Sequence, residues 1–275
     1  MEVANNINCK PFLRWAGGKK WLIKHLDQYL PESFNNYHEP FIGGGSILLN
    51  LQPEKAFISD LNPELTQTYK EVKLRVDQVI SKLAQFENTK ECYYDIRATS
   101  FKNASERAAR FIFLNQTSFN GIYRVNLKGE YNVPYGNRVK NFFEPENLRA
   151  VSQVLKPCRI RTGDFTKSIK DIQENDLVFL DPPYTVTHNN NGFIKYNSKL
   201  FHESSQLRLS KFIDEIEERG AYYILTNAAH EWVRATFEKE HYVQRIEVLD
   251  RVSLIGGKNA TRGKYSEYIF TNINL

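Results

Sequence analysis

Four consecutive apolar residues, Leu177-Val178-Phe179-Leu180, lie between Asn175-Asp176 and the rigid segment Asp181-Pro182-Pro183-Tyr184. A strand with one face in water alternates apolar and polar residues, so a short unbroken apolar run reads as a strand covered on both faces, the central strand of a parallel sheet. Open sheets of that kind bind ligands beyond the carboxyl ends of their strands, which predicts that Asp181 faces a crevice. Pro182 and Pro183 fix φ and lack N–H donors, leaving the local carbonyls as acceptors, and Tyr184 presents a flat ring beside them. A carboxylate, a carbonyl and an aromatic face together suit a planar amino group, as on adenine, cytosine or a carboxamide. Its two N–H groups need acceptors and its lone pair is delocalised. A polar turn after a strand uses the same residue types, so the rest of the chain must decide.

The pattern of a strand ending in an acid recurs. Ala56-Phe57-Ile58-Ser59-Asp60 and Arg159-Ile160-Arg161-Thr162-Gly163-Asp164-Phe165 each close this way, and Tyr222 to Asn227 ends in polar residues. With an amphipathic stretch from Gln206 to Arg219, the spacing predicts βαβ units. Tyr242 to Val252 and Tyr265 to Asn272 read as a closing strand pair. Glu39-Pro40-Phe41-Ile42-Gly43-Gly44-Gly45-Ser46 is a glycine turn between a strand and a helix, and Asp60, about fifteen residues on, stands where a carboxylate binds ribose hydroxyls. The glycines do not fit GxGxxG, so a single nucleoside-bearing cofactor is expected rather than a dinucleotide. Trp15-Ala16-Gly17-Gly18-Lys19-Lys20 leads into a helix expected from Lys20 to about Tyr29, whose N-terminus favours an anion.

From Asn62 the text changes to apolar-periodic charged segments, Glu64 to Lys73, Asp77 to Phe86, Tyr93 to Ser100 and Ser105 to Leu114, which predict helices. A β-hairpin is expected over Val125 to Pro134, turning at Lys128-Gly129, preceded by a polar loop with Phe119. Residues 62–150 therefore read as an insertion in an α/β domain formed by 1–61 and 151–275.

The net charge is +5 on 275 residues, but it is unevenly spread. Lys10 to Lys24, Ile122 to Lys140 and Arg251 to Lys264 carry five, four and four basic residues against one acid, Glu130, so the remainder is acidic. Concentrated positive charge suits a phosphate backbone, and a hairpin bearing Arg124 and Lys128 beside Phe119 suits a DNA groove. Cys9, Cys92 and Cys158 are odd in number and far apart, and no Cys/His pair has metal spacing, so neither a disulfide framework nor a metal site is expected. No run of 18 apolar residues and no hydrophobic leader is present, so membrane spanning and secretion are not expected, and the cytoplasm is.

Taken in order, Phe12-Leu13-Arg14-Trp15-Ala16-Gly17-Gly18-Lys19, Glu39 to Ser46, Asn120-Gly121-Ile122-Tyr123-Arg124, Tyr131-Asn132-Val133-Pro134-Tyr135-Gly136 and Asp181-Pro182-Pro183-Tyr184 resemble the Dam-type DNA adenine-N6 methyltransferases of the α group. The resemblance implies a Rossmann-like, mostly parallel mixed sheet with an inserted helical and hairpin recognition domain. It implies S-adenosylmethionine as cofactor, bound by Trp15, Ala16, Gly17, Lys19, Phe41, Gly43, Gly45, Asp60, Asp164, Phe165 and Asp181. Asp181, Pro182, Pro183 and Tyr184 would hold a flipped adenine, commonly within 5′-GATC. Double-stranded DNA would meet Arg14, Phe119, Asn120, Ile122, Arg124, Asn126, Lys128, Pro134, Arg138, Lys140, Lys258 and Arg262, with Phe119 matching an intercalating aromatic and Arg124 a guanine reader. Two departures stand out: Arg14 replaces the usual lysine, and Asn137-Arg138 replaces an immediate arginine after Gly136. A monomer, in a bacterial or phage setting, with or without a restriction partner, completes the expectation. The rivals are a methyltransferase for RNA adenine or protein glutamine, and a non-catalytic DNA-binding relative.

Overall fold

The structure is a computed structural model, described for residues 7–139, 141–184, 201–240, 244–252 and 264–274. Seven strands form one mixed, mostly parallel sheet. They are β1 (Tyr37–Glu39), β2 (Ala56–Asp60), β3 (Cys158–Thr162), β4 (Leu177–Leu180), β5 (Tyr222–Ala228), β6 (Arg245–Val252) and β7 (Lys264–Thr271), in the order β3-β2-β1-β4-β5-β7-β6. β1 pairs in parallel with β2 and with β4, and β4 with β5. β7 inserts antiparallel between β5 and β6. The α/β expectation holds, and the apolar run Leu177–Leu180 is strand from end to end. Its four side chains are at most 1% exposed. Burial of each such side chain contributes about 1.5–3 kcal/mol, which fixes the strand in the middle of the sheet.

The chain divides into two compact units. The first comprises Met1–Lys20, Ile42–Glu54 and Asp60–Gly163; the second Trp21–Phe41, Lys55–Ser59 and Asp164–Leu275. In the first, helices α1 (Ser46–Leu51), α2 (Pro63–Leu83), α3 (Lys90–Ala98), α4 (Ala104–Thr117) and α5 (Pro145–Leu155) build the core. Asn62 caps α2 through its side chain, which accepts from Glu64 N and Leu65 N, and Asn103 caps α4 in the same way. The two helices expected before Phe86 are one, α2, bent at the non-helical Arg75. Helix α5 carries no expectation from sequence.

In the second unit, α6 (Glu203–Glu218) and the short α7 (Glu231–Phe237) accompany the strands, and Leu209, Phe212, Ile213 and Ile216 of α6 pack on Val178, Leu180, Tyr223 and Leu225. The segment Lys19–Tyr29, expected as a helix from Lys20, is 3-10 helix. No helix among the described residues is long and apolar enough to cross a membrane.

The expected hairpin is shorter than its sequence suggests: Asn126 N donates to Glu130 O at 2.9 Å and Asn132 N to Arg124 O at 3.1 Å, and Gly129 turns at φ +79. Val125 to Pro134 forms no strand ladder; Val125 and Tyr131 make a single antiparallel bridge. The turn is also held by Asn126, whose Oδ1 accepts from Lys128 N at 2.9 Å and Glu130 N at 3.0 Å. An asparagine side chain that satisfies backbone donors holds the turn together where the ladder is limited to one bridge.

Candidate active site and nucleic-acid interface

In the first unit the glycine loop folds against Trp15. Gly43 has φ +44, and a Cβ there would lie 2.7 Å from Trp15 Cδ1, so both the backbone conformation and the indole demand glycine. Gly45, at φ +66, caps α1 and lies under the Tyr69 hydroxyl, which donates to Gly43 O at 3.1 Å. Asp60 ends β2 and joins this loop: Oδ2 accepts from Gly43 N at 3.2 Å and Oδ1 from Asn62 N at 2.9 Å. Burial pushes the Asp60 pKa up to about 6, against the opposing effect of these backbone donors.

Lys19 is 2% exposed and donates from Nζ to Gly17 O at 2.9 Å. Gly17 faces open space at φ +81, and Ala16 is exposed beside it. Trp15 stacks on Tyr123, with centroids 5.7 Å apart and planes 22° apart.

Of the expected DNA-contacting residues of this unit, Arg14 and Arg138 line one cavity with Trp15. Arg14 N donates to Asn115 Oδ1 at 2.7 Å, and Asn115 Nδ2 donates back to Arg14 O at 2.8 Å. Its guanidinium lies on Gly121, where a Cβ would come within 2.6 Å of it, and Nη1 is buried without a partner among the described residues. Burial lowers the Arg14 pKa, and Arg138 adds to that effect. Arg14, Arg138, Lys10 and Lys20 line a cavity of about 300 Å³ together with Phe12 and Phe142.

Phe119 is 51% exposed, and Asn120 follows it in a left-handed turn at φ 55. Arg124 is exposed and held by Asn132: Nε donates to Asn132 Oδ1 at 2.8 Å and Nη2 to Asn132 O at 3.2 Å. Lys128 and Pro134 are exposed, while Ile122, Asn126 and Arg138 are half-buried. Lys140, Lys258 and Arg262 lie outside the described residues.

In the second unit β4 delivers Asp181, and Thr226 Oγ1 donates to its Oδ1 at 2.9 Å. Pro182 is buried, Pro183 and Tyr184 half-buried, and the Tyr184 hydroxyl donates to Glu267 Oε2 at 2.5 Å. Asp164 caps a 3-10 turn and accepts from Thr166 N at 3.1 Å, Thr166 Oγ1 at 2.7 Å and Arg208 Nη2 at 2.6 Å. Burial raises its pKa, but Thr166 and Arg208 outweigh burial and leave it below the usual carboxylate range. Phe165, expected at the cofactor, is 4% exposed and packs among Phe41, Phe201 and Phe212.

The sequence reading missed Asn115, Tyr123, Thr226, Glu267 and Arg208. Each meets a partner distant in sequence, and only the polar end of β5 gave any signal.

Residues 15–253 match the family model described as D12 class N6 adenine-specific DNA methyltransferase. The chain belongs to that family. The methyltransferase is 36% identical over 280 residues to the type II methyltransferase M1.LlaDCHI of Lactococcus lactis subsp. cremoris, covering 98% of this chain and 97% of that one. It is 39% identical over 244 residues to the type II methyltransferase M.MjaIII of Methanocaldococcus jannaschii, covering 80% and 84%. The DNA adenine methylase of Escherichia coli K12 is 28% identical over 266 residues, 94% of each chain. The expected adenine-specific DNA methyltransferase is therefore the family found, and the methyltransferase carries its tetrapeptide at the end of β4.

Proposed function

We propose that the methyltransferase uses S-adenosylmethionine to methylate adenine N6 at 5′-GATC in duplex DNA, after the target base leaves the helix. Bound at the glycine loop, S-adenosylmethionine supplies an electrophilic methyl group on a sulfonium. The fit rests on Asp60: a carboxylate with a raised pKa, at a strand end and bonded to the glycine loop, is suited to accept ribose hydroxyls. Trp15, Ala16, Gly17, Lys19, Gly43 and Gly45 are assigned to the same cofactor, as are Phe41, Asp164 and Asp181. Phe165 is assigned a supporting place, since its ring is spent on the aromatic core.

The adenine amino group is a weak nucleophile because its lone pair is delocalised into the ring. Asp181 and a carbonyl at Pro182 accept its two N–H bonds, which favours tetrahedral nitrogen and stabilises the positive charge that grows on it. Thr226 holds the carboxylate in place for that task. Tyr184 offers its ring face to the base. Residues 62–150 are assigned to recognition and 1–61 with 151–275 to catalysis.

Within the recognition segment Arg124 and Arg14 are assigned to guanine, Phe119 to the gap left in the stack, and Lys128 and Arg138 to phosphates. The exposed Phe119 is the observation that favours duplex DNA, because a half-exposed phenylalanine beside cationic residues is suited to insertion between bases. Transfer of tritiated methyl from S-adenosylmethionine is the test. Labelling of a GATC duplex, with little on a duplex altered at one outer base pair and none on structured RNA, is expected. Equal labelling of both duplexes removes the GATC assignment, and absence of labelling from this donor removes the cofactor.

A further inference from the structure

We propose that Glu267 is a positioning residue that sets the ring of Tyr184 for the target base, an inference that rests on reading Asp181-Pro182-Pro183-Tyr184 as the adenine site. Strand pairing brings the two residues together. Leu180 of β4 stands opposite Leu225 of β5, which carries Asp181 level with Thr226. β7 runs antiparallel to β5 with Glu267 opposite Ala228, two residues beyond Thr226 and on the same face of β5. Tyr184, three residues past Asp181, reaches across to that position, and its hydroxyl donates to Glu267 Oε2 at 2.5 Å.

Glu267 is 1% exposed, and a carboxylate so deeply placed is unfavourable unless it is hydrogen-bonded. Its strand neighbours Ile269 and Phe270 serve the core with apolar side chains. A carboxylate at 267 thus performs a task that packing alone does not require.

The consequence for Tyr184 is mechanical. Pro182 and Pro183 restrict the backbone that leads to it, and the Glu267 bond restrains the far end of the ring. A tyrosine has two soft side-chain torsions, and anchoring the hydroxyl holds both. Stacking depends on ring offset and tilt, so an unanchored ring would meet the base in a spread of orientations. Thr226 does for the carboxylate of Asp181 what Glu267 does for the ring. The acceptor and the stacking face are thus held by adjacent strands.

A double-mutant cycle measured by single-turnover methyl transfer tests this, with 2-aminopurine fluorescence at the target position and S-adenosylmethionine binding as parallel readouts. Glu267→Ala and Tyr184→Phe should each slow transfer by about tenfold and shift the aminopurine emission alike, with cofactor affinity unchanged. Combined, they should be no slower than the worse single variant. Glu267→Gln, whose amide oxygen accepts the same bond, should stay within about threefold of wild type. Losses that multiply to about a hundredfold in the double variant would overturn the proposal.

If Glu267→Ala does not fold, Tyr184→Phe decides alone. A wild-type rate and emission there would leave the anchored hydroxyl without a task and overturn the proposal equally. Absence of adenine methylation by the wild-type protein would instead defeat the underlying reading of the site.

Discussion

Replacing Asp60 by asparagine tests the cofactor site through a proton. Burial, the largest influence on this carboxyl, raises its pKa from 3.8 to about 6, against the pull of the backbone groups of Asn62, Gly43 and Leu61. The folded value lies above the unfolded one. Between roughly pH 4 and 6 the native chain holds a proton that the unfolded chain has released, so the stability linked to Asp60 is lost as pH rises through that window. At 1.36 kcal/mol per unit the effect is at most about 3 kcal/mol.

Ribose hydroxyls donating to the ionised carboxylate act in the opposite sense and draw its pKa back down. S-adenosylmethionine should therefore bind about tenfold more weakly at pH 5 than at pH 7. Titration calorimetry across that range, on wild type and Asp60→Asn, reads the difference. At pH 7 the variant should bind roughly 10- to 150-fold more weakly, the worth of a charged hydrogen bond of about 1.5–3 kcal/mol. Its dissociation constant should lack the inflection near pH 6. Parallel pH curves for the two proteins would refute the role given to Asp60, whatever their absolute affinities.

Asp181→Ala should keep the fold and the DNA affinity, since the residue lies past the end of β4, but lose about 10²-fold or more in single-turnover methylation. Near-normal transfer removes Asp181 from the chemistry. Gly43→Ala forces a side chain to within 2.7 Å of Trp15 Cδ1 at φ +44. It should lower the melting temperature by a few degrees, from about 1–2 kcal/mol of left-handed strain, and weaken the cofactor by displacing the indole. An unchanged cofactor dissociation constant, measured by calorimetry, speaks against Trp15. Arg124→Ala should relax discrimination at one guanine, worth about 1–3 kcal/mol, whereas Lys128→Ala should weaken all sequences alike and reduce the salt dependence by about one counterion. Methylation rates on GATC and on duplexes with one changed outer pair separate the two, and a uniform loss in Arg124→Ala ends its assignment as a reader.

The sheet was legible where local chemistry determines it. Leu177–Leu180 and Ala56–Asp60 were delimited to the residue because an apolar run must be buried and an acid or proline must end it. The segment from Val125 to Pro134 was less so: alternation suggested a ladder, but Asn126 and Asn132 spend their side chains on backbone and on Arg124. The supports of the candidate site were scarcely legible, beyond the polar end of β5 that carries Thr226. Asn115 meets Arg14 across 101 positions and Glu267 meets Tyr184 across 83, and no spacing rule links residues that only the tertiary fold brings together. Phe165 shows the converse case, a residue legible as lying at a strand end whose ring turned out to belong to the core.

The stack of Trp15 on Tyr123 has a thermodynamic consequence. Trp15 follows Arg14 in the chain and Tyr123 precedes Arg124, so two aromatic rings in contact are each joined by one peptide bond to a residue assigned to guanine. If the proposed assignments hold, any ordering that DNA imposes on the arginines would alter the surface offered to the cofactor, and a cofactor against the indole would alter the arginines. Equilibrium linkage makes the two effects equal: the factor by which cognate DNA changes affinity for S-adenosylmethionine is the factor by which S-adenosylmethionine changes affinity for cognate DNA. Under those assignments the chain would discriminate sequence partly by how firmly it holds its methyl donor.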